Sequence, residues 1–384
     1  MKKIILASVS LIIVIIVGAL LSVFTPGPIK EGIRDKWVEA ALASKDCKLK
    51  EEIELYPNSY QGDLIDTHIH IPSIPDGPFG GSDNERPSMG ANVGMVDYIC
   101  MMENENTKMV FAFFPVMEPI IEESVLIVKK TMEKYPERFV PFIMPPERDD
   151  KPDGFPTVAA PDLEEMLAVY PKLFRGYGEI GLYERGDHGG PKGAPELSPD
   201  SERLNKIYPI VRENNLLVYF HLGQGQKEGF EKILSDNPDI NFIFHGDQLI
   251  PYEEEGRQNL RHIDDILSRH PNAYYGVDEL YGDVWILRPD VSKENFLAHF
   301  SDYESLLQKD LGTWKNFIER HPNQVLWGTD RGVNVPWSLD SEVGLALTRY
   351  TRAFIGRLSL EVREKYAYKN AEKLLSNWKD KVLK

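Results

Sequence analysis

From residue 64 onward, short apolar stretches alternate with amphipathic ones. Apolar residues recur at helical spacing in the amphipathic stretches, such as 122–135, 201–214, 260–270 and 313–321. Continuous apolar strands separated by helices are typical of a parallel sheet that helices cover. Eight of them within about 270 residues predict an α/β fold, a (β/α)8 TIM-like barrel. The predicted strands are 64–70, 108–116, 138–144, 174–182, 216–223, 241–247, 272–280 and 324–330, with further helix at 339–377.

The first 29 residues have a different pattern. Lys2 and Lys3 precede an uncharged apolar run over residues 4–24, and Thr-Pro-Gly-Pro follows it. About 20 apolar residues cross a bilayer as a helix, so residues 1–29 are predicted to be an N-terminal membrane-spanning helix that acts as a signal anchor. A cleaved signal peptide is the alternative. The protein is therefore expected outside the cytoplasm, anchored in a membrane at the cell surface or in the periplasm, or secreted after cleavage.

Two further regions follow the anchor. Residues 30–61 are predicted to be a helical stalk or a packing segment, because Ile33, Trp37 and Ala41 recur at a spacing of four. Residues 62–384 form the predicted barrel domain. The two cysteines, Cys47 and Cys100, allow either one disulfide or two free thiols.

Charge narrows the range of partners. The chain has 44 basic and 60 acidic residues and a net charge of −16. Phosphate backbones are bound by clustered lysine and arginine, and the body of the chain has no such cluster. We expect a small-molecule substrate and no nucleic acid.

Metal-ligand residue types stand where the predicted strands end. Because strand residues i and i+2 project to one face, the two histidines of the first strand point the same way. In a barrel of this kind the carboxyl ends of all strands meet at the rim that carries function. Each candidate also has an ordinary alternative to a metal-binding role. The histidines could be exposed at strand ends or buried in the core, the glutamate could orient a ligand histidine, and the aspartate could cap a helix. The candidates are His68, His70, Glu179, His221, His245 and Asp330.

This constellation resembles the amidohydrolase superfamily of metal-dependent hydrolases over roughly residues 62–375. "DTHIH", "FHGD" and "WGTD" are similar to the branch that includes aminocarboxymuconate-semialdehyde decarboxylase, whereas "GYGEIGL" is similar to TatD-type deoxyribonucleases. The resemblance implies a metal held by His68, His70, His221 and Asp330, with His245 acting nearby. Many members have a carboxylated lysine where this chain has Glu179, which leaves open whether one or two metals are bound.

Imidazole and carboxylate ligands without thiolate suit divalent ions, with Zn²⁺ preferred. The implied activity is a hydrolase that activates a metal-bound water to attack a small amide, ester or lactone. Asp330 would transfer protons, His245 would polarise the substrate, and Glu179 would bridge two metals or hold one. A non-oxidative decarboxylase of an aromatic or enoic acid is the alternative. A TatD-like nuclease and a non-enzymatic metal-binding scaffold fit less well.

Substrate contacts are expected from the loops after the strands. Arg185, Gln224 and Arg331 follow strand ends, and an arginine there could hold a carboxylate or pair with a neighbouring acid. Asp278 and Glu279 are expected at the same mouth. The Pro- and Gly-rich loop after the first strand is either a lid or a surface cover.

Overall fold

The computed structural model describes residues 42, 54–71, 95–116, 121–145, 158–183, 196–246, 260–278, 280, 291–332 and 336–382. Within these ranges eight strands form one parallel sheet in sequence order, which confirms the predicted α/β barrel. The strands are β1 (Ile65–His70), β2 (Met109–Pro115), β3 (Phe139–Met144), β4 (Gly176–Gly181), β5 (Leu217–His221), β6 (Phe242–His245), β7 (Ala273–Val277) and β8 (Val325–Trp327).

Helices occupy the intervals between the strands and follow the last one. Several begin at an identifiable cap: the Ser201 side chain, for example, accepts a hydrogen bond from the backbone nitrogen of Leu204. The helices are α1 (Met95–Asn104), α2 (Ile121–Lys134), α3 (Ala160–Val169), α4 (Glu202–Glu213), α5 (Lys227–Asp236), α6 (Arg261–Arg269), α7 (Lys293–His299), α8 (Tyr303–Asp310), α9 (Asn316–Arg320), α10 (Ser341–Ile355), α11 (Leu360–Glu364) and α12 (Asn370–Val382). Short 3₁₀ and π segments adjoin some of them: 300–302, 311–315, 336–339 and 365–369.

Side chains on the two faces of the sheet form two apolar clusters. The larger, the outer cluster, joins the outward strand residues to the helices. The smaller, the inner cluster, fills the barrel and includes Ile65, Phe113 and Tyr219. Leu374 of α12 also belongs to it. Since every strand is covered on both faces, the strands read as continuous apolar runs rather than as alternating ones.

The barrel closes where β8 returns to β1, and we call this contact the seam. A single parallel bridge joins Ile69 and Arg331. The Thr67 hydroxyl donates to the Trp327 carbonyl oxygen at 2.8 Å. The buried Asp66 carboxylate accepts from the Thr329 hydroxyl at 2.6 Å and from the Thr329 backbone nitrogen at 3.1 Å. Side chains therefore complete a junction that the backbone makes only in part.

The predicted membrane anchor, residues 1–29, lies outside the described residues, as does most of the 30–61 segment. Across the parts of the chain that the structure does describe, no helix combines the length and apolarity needed to cross a membrane. Residues 54–62 pack against the barrel, where Tyr56 stacks on Tyr303 with ring centroids 3.6 Å apart. Cys100 of α1 is disulfide-bonded, and the chain's other cysteine, Cys47, lies outside the described residues.

Candidate metal centre

The two histidines of β1 face the barrel interior because the strand changes phase. Ile65 belongs to the inner cluster and Ile69 to the outer one, although strict alternation would place both on the same face. The pairing with β2 shifts register between Asp66 and Ile69. Such a bulge redirects the side chains that follow it. As a result the His68 ring lies against Phe113 of the inner cluster, with centroids 5.0 Å apart.

A second register shift brings Glu179 of β4 into the barrel. Tyr177 and Ile180 both belong to the outer cluster although they are three residues apart. The shift relative to β5 falls between them. Gly178 has a φ of 128°, and a Cβ there would lie 2.2 Å from the Tyr219 carbonyl oxygen. Only glycine fits this position, so the local sequence Gly-Glu is what aims the carboxylate inward.

The remaining candidates reach the same place by simpler routes. His221 and His245 end β5 and β6, directly opposite each other in the pairing register. Ordinary alternation turns both inward, because Phe220 and Phe244 belong to the outer cluster. Asp330 lies beyond β8 with a φ of 50°, a left-handed conformation that aspartate tolerates better than most residues.

Four of these side chains form what we call the first donor group: His68 Nε2, His70 Nε2, Glu179 Oε2 and Asp330 Oδ1. Each carboxylate oxygen lies 3.1 Å from His70 Nε2. The corresponding distances from His68 Nε2 are 3.2 and 3.3 Å, and the two ring nitrogens are 3.1 Å apart. Four ligands placed about 2.0–2.1 Å from a zinc ion in a tetrahedron stand about 3.3–3.4 Å apart. The arrangement therefore fits one divalent cation with little movement.

The other Glu179 oxygen belongs to what we call the second donor group. Glu179 Oε1 lies 3.0 Å from His221 Nδ1 and 2.7 Å from His245 Nε2. These three donors form a separate potential metal-binding cluster. The resemblance implied that His221 joins the His-x-His pair, but the structure groups it with His245 instead. Glu179 is the one side chain shared by both groups.

The histidines and carboxylates perturb one another strongly. Burial lowers the pKa of His68, but the carboxylates of Asp330, Asp278 and Glu179 outweigh it and raise that pKa to about 10. Burial alone would raise the pKa of the Glu179 carboxyl, yet His245, His221 and His68 hold it well below its usual range. The metal-free cluster therefore keeps protons on His68 and His245 and negative charge on Glu179. Divalent cations prefer deprotonated donors, so a metal would replace those protons.

Arg331, a predicted substrate contact, lies buried beside Glu105. Its side chain is 1% exposed, and Glu105 accepts from both terminal nitrogens, at 2.9 and 2.7 Å. Its Nε donates to the Thr329 hydroxyl at 3.1 Å. A buried guanidinium needs an anion beside it, and Glu105, 226 positions earlier, supplies one. The pair fixes the backbone on the C-terminal side of Asp330.

Arg185 and Gln224 are the other two predicted substrate contacts. Arg185 lies outside the described residues. Gln224 is exposed, and the contacts of the described residues do not bring it to the donor groups. Tyr183 lies closer, with its ring centroid 4.6 Å from that of His221. Gln226 is buried and holds the loop after β5, because its amide donates to the Leu182 carbonyl oxygen at 2.6 Å.

Asp278 was expected only at the mouth, but it lies deeper. Its Oδ2 is 3.0 Å from His68 Nδ1 and 2.7 Å from His245 Nδ1. The available sequence signal was its position directly after β7, the same strand-end position that the ligand candidates occupy. Asp66 was also missed; it accepts from the His68 backbone nitrogen at 3.0 Å and ties the β1 bulge to the seam.

Comparison with known proteins decides the family. The family model described as amidohydrolase matches residues 65–376, most of the chain and the whole barrel. The chain belongs to the amidohydrolase family. Members of this family use a divalent metal, and both donor groups of this amidohydrolase offer residues that can bind such an ion. No curated protein matches it.

The amidohydrolase is also similar to several solved structures. One is an uncharacterized TIM-barrel protein from Bordetella bronchiseptica, with 16% identity, 82% of this chain and 98% of that chain covered, and a TM-score of 0.48. Another is a probable 2-pyrone-4,6-dicarboxylic acid hydrolase from Acinetobacter baumannii with citric acid bound, with 13% identity, 82% and 99% covered, and a TM-score of 0.49. A third is an amidohydrolase from Burkholderia multivorans with bound zinc, with 13% identity, 82% and 99% covered, and a TM-score of 0.47.

Proposed function

We propose that this amidohydrolase is a hydrolase of a small amide, ester or lactone that holds two divalent ions, preferably Zn²⁺. The observation that carries the proposal is the division of the Glu179 carboxylate between two donor groups. Each group offers imidazole and carboxylate donors and no thiolate, which suits zinc. His68, His70 and Asp330 would hold one ion, His221 and His245 the other, and Glu179 both.

Bound divalent ions would lower the pKa of water and polarise a substrate carbonyl. The chain's own groups would supply the proton transfers. The Asp330 side chain is 40% exposed, more open than those of the other donors, so it can meet both water and substrate. We infer that its carboxylate takes the proton from the attacking water and returns it to the leaving group. Tyr183, beside His221, would border the substrate.

Charge supports a small uncharged or weakly charged substrate over a polyanion. The net charge of −16 opposes binding of a phosphate backbone, which disfavours a nuclease. Arg331 is buried and pairs with Glu105, which does not favour a substrate whose carboxylate an arginine would hold.

The test is metal content and turnover of the purified protein. We expect two divalent ions per chain, removed together with activity by a chelator, and acid release from a panel of small esters, lactones and N-acyl amides in a pH-stat. Glu179→Gln should hold at most one ion and lose at least about 10³-fold in kcat/KM, because a shared ligand and its charge are removed. Glu228→Gln on the exposed side of α5 is the matched control and should behave like wild type.

Two results would reject this function. One is a folded wild-type protein that takes up no divalent ion. The other is a Glu179→Gln variant that keeps two ions and full activity. Release of CO₂ from an enoic or aromatic acid, without acid release from any ester or amide, would identify the decarboxylase instead.

We also propose that the protein acts outside the cytoplasm, held to a membrane through residues 1–29. The uncharged run over residues 4–24 after Lys2 and Lys3 supports this, as does the disulfide of Cys100, because such bonds persist in oxidising compartments. Recovery of the expressed protein in the carbonate-washed membrane fraction, accessible to added protease from outside, is the expected result. Recovery in the cytosol with Cys100 alkylated by a cell-permeant reagent would contradict it.

A further inference from the structure

One carboxylate oxygen lies against a histidine from each donor group. Asp278 comes directly after the last residue of β7, Val277, and is nearly buried, with its side chain 6% exposed. Its Oδ2 is 3.0 Å from Nδ1 of His68, a member of the first group. The same Oδ2 is 2.7 Å from Nδ1 of His245, a member of the second group. Oδ2 therefore stands behind both rings, on the side away from the donor atoms Nε2.

This contact determines which ring nitrogen carries a proton. A carboxylate only accepts hydrogen bonds, so Nδ1 of His68 and Nδ1 of His245 must both be the donors. In the neutral rings each Nε2 is then left with its lone pair, which faces Glu179. A metal ligand needs that tautomer, and a hydrogen-bonded carboxylate behind the ring also makes the imidazole a stronger base.

The contacts described for the other two histidines are of a different kind. His70 Nδ1 lies 3.3 Å from the Met144 sulfur, a weak acceptor. His221 uses Nδ1 itself as the atom that faces Glu179. The described residues thus place one anchoring oxygen behind one ring of each group, and both rings depend on the same side chain.

We propose that Asp278 is a positioning residue that couples the two metal subsites, so that its loss weakens both together. The inference rests on the proposed two-ion function and deepens it. Asp278 orients the first donor group through His68 and the second donor group through His245. A residue that served one subsite would change one affinity, whereas Asp278 should change both.

The test is a Zn²⁺ titration of the metal-free full-length protein, with both stepwise affinities measured by competition with a chelating dye. Asp278→Ala should weaken both steps by about 10–100-fold each, the usual effect of removing a carboxylate behind a ligand histidine. Asp278→Asn should recover most of that loss, because its amide oxygen still accepts from both rings. Asp278→Ser, whose short side chain cannot reach the two nitrogens, replaces the alanine variant if that variant does not fold.

The matched control is Asp264→Ala. Asp264 of α6 also accepts from a histidine, His321 Nε2, at 2.7 Å, but it lies among the outer helices. The Asp264→Ala variant should leave both zinc affinities unchanged. The proposal is overturned if Asp278→Ala weakens only one step or neither, or if Asp278→Asn is as weak as Asp278→Ala, which would assign the effect to charge rather than ring orientation. Wild-type protein that binds no zinc would instead remove the proposed function itself.

Discussion

The buried pair of Arg331 and Glu105 allows a quantitative prediction. Both side chains are at most 2% exposed, and two hydrogen bonds of 2.9 and 2.7 Å join them. Glu105→Gln removes the charge and turns an amide donor toward the guanidinium. Among the described residues a second anion, Asp66, also lies near, with its Oδ2 3.9 Å from Arg331 Nη2. Removing one partner of a buried pair costs about 3–5 kcal/mol. Because Asp66 remains, we expect about 3 kcal/mol.

Glu103→Gln provides the matched control for this measurement. Glu103 lies two positions earlier and pairs with Arg138 at 3.8 Å, but its side chain is 42% exposed. An exposed pair contributes about 0–1 kcal/mol, so the control should lose no more than that. The assay is urea unfolding of the chelator-treated protein, so that metal affinity does not enter the comparison.

A double variant separates the pair from its surroundings. Glu105→Gln combined with Arg331→Met removes both charges, and its loss should be smaller than the sum of the two single losses. Equal losses for Glu105→Gln and Glu103→Gln would refute the reasoning. So would an Arg331→Met variant of wild-type stability whose only defect is a raised KM, since that would return Arg331 to the substrate.

Three further predictions follow from packing, protonation and ligand linkage. Gly176→Ala should lose about 1–3 kcal/mol in urea unfolding, because its Cβ would lie 2.0 Å from the buried Phe142 ring, whereas Gly312→Ala meets nothing within 4 Å and should lose nothing. In the metal-free protein the pKa of His68 is raised from an ordinary 6.5 to about 10. The stability that this shift contributes is therefore complete below pH 6.5 and is lost as the pH rises toward 10. A urea midpoint that climbs over this pH range would contradict the prediction. Free Zn²⁺ at about 100 times its Kd should add about 2.7 kcal/mol and raise the Tm, and an unchanged Tm would exclude tight binding to the folded state.

The sequence predicted the barrel well because burial on both faces leaves a strong signal. All eight apolar runs became strands in the predicted order, although β8 is shorter than predicted, Val325–Trp327 instead of 324–330. The run continued into Thr329 and Asp330, which extend the seam through side-chain contacts rather than a backbone ladder. Residue type alone does not show that difference.

Site details depended on features that a single sequence hides. The i, i+2 rule placed His68 and His70 on one face of the strand. Only the register shift in β1 turns that face toward the barrel interior, where Ile65 also lies. The grouping of His221 with His245 follows from their opposite positions in adjacent strands. Glu105 could not be recognised as the partner of Arg331, because nothing near either residue indicates the other.

The seam also limits when this enzyme can become functional during synthesis. His68 leaves the ribosome early, whereas Asp330, which completes its donor group, is about 260 positions behind it. At about 5–20 residues per second, that gap lasts roughly 13–50 seconds. Throughout it, β1 has an unpaired edge where β8 will lie. A nascent chain that does not yet include β8 would have to keep this edge of β1 from pairing with a neighbouring chain. The first strand to be made therefore depends on the last one for protection.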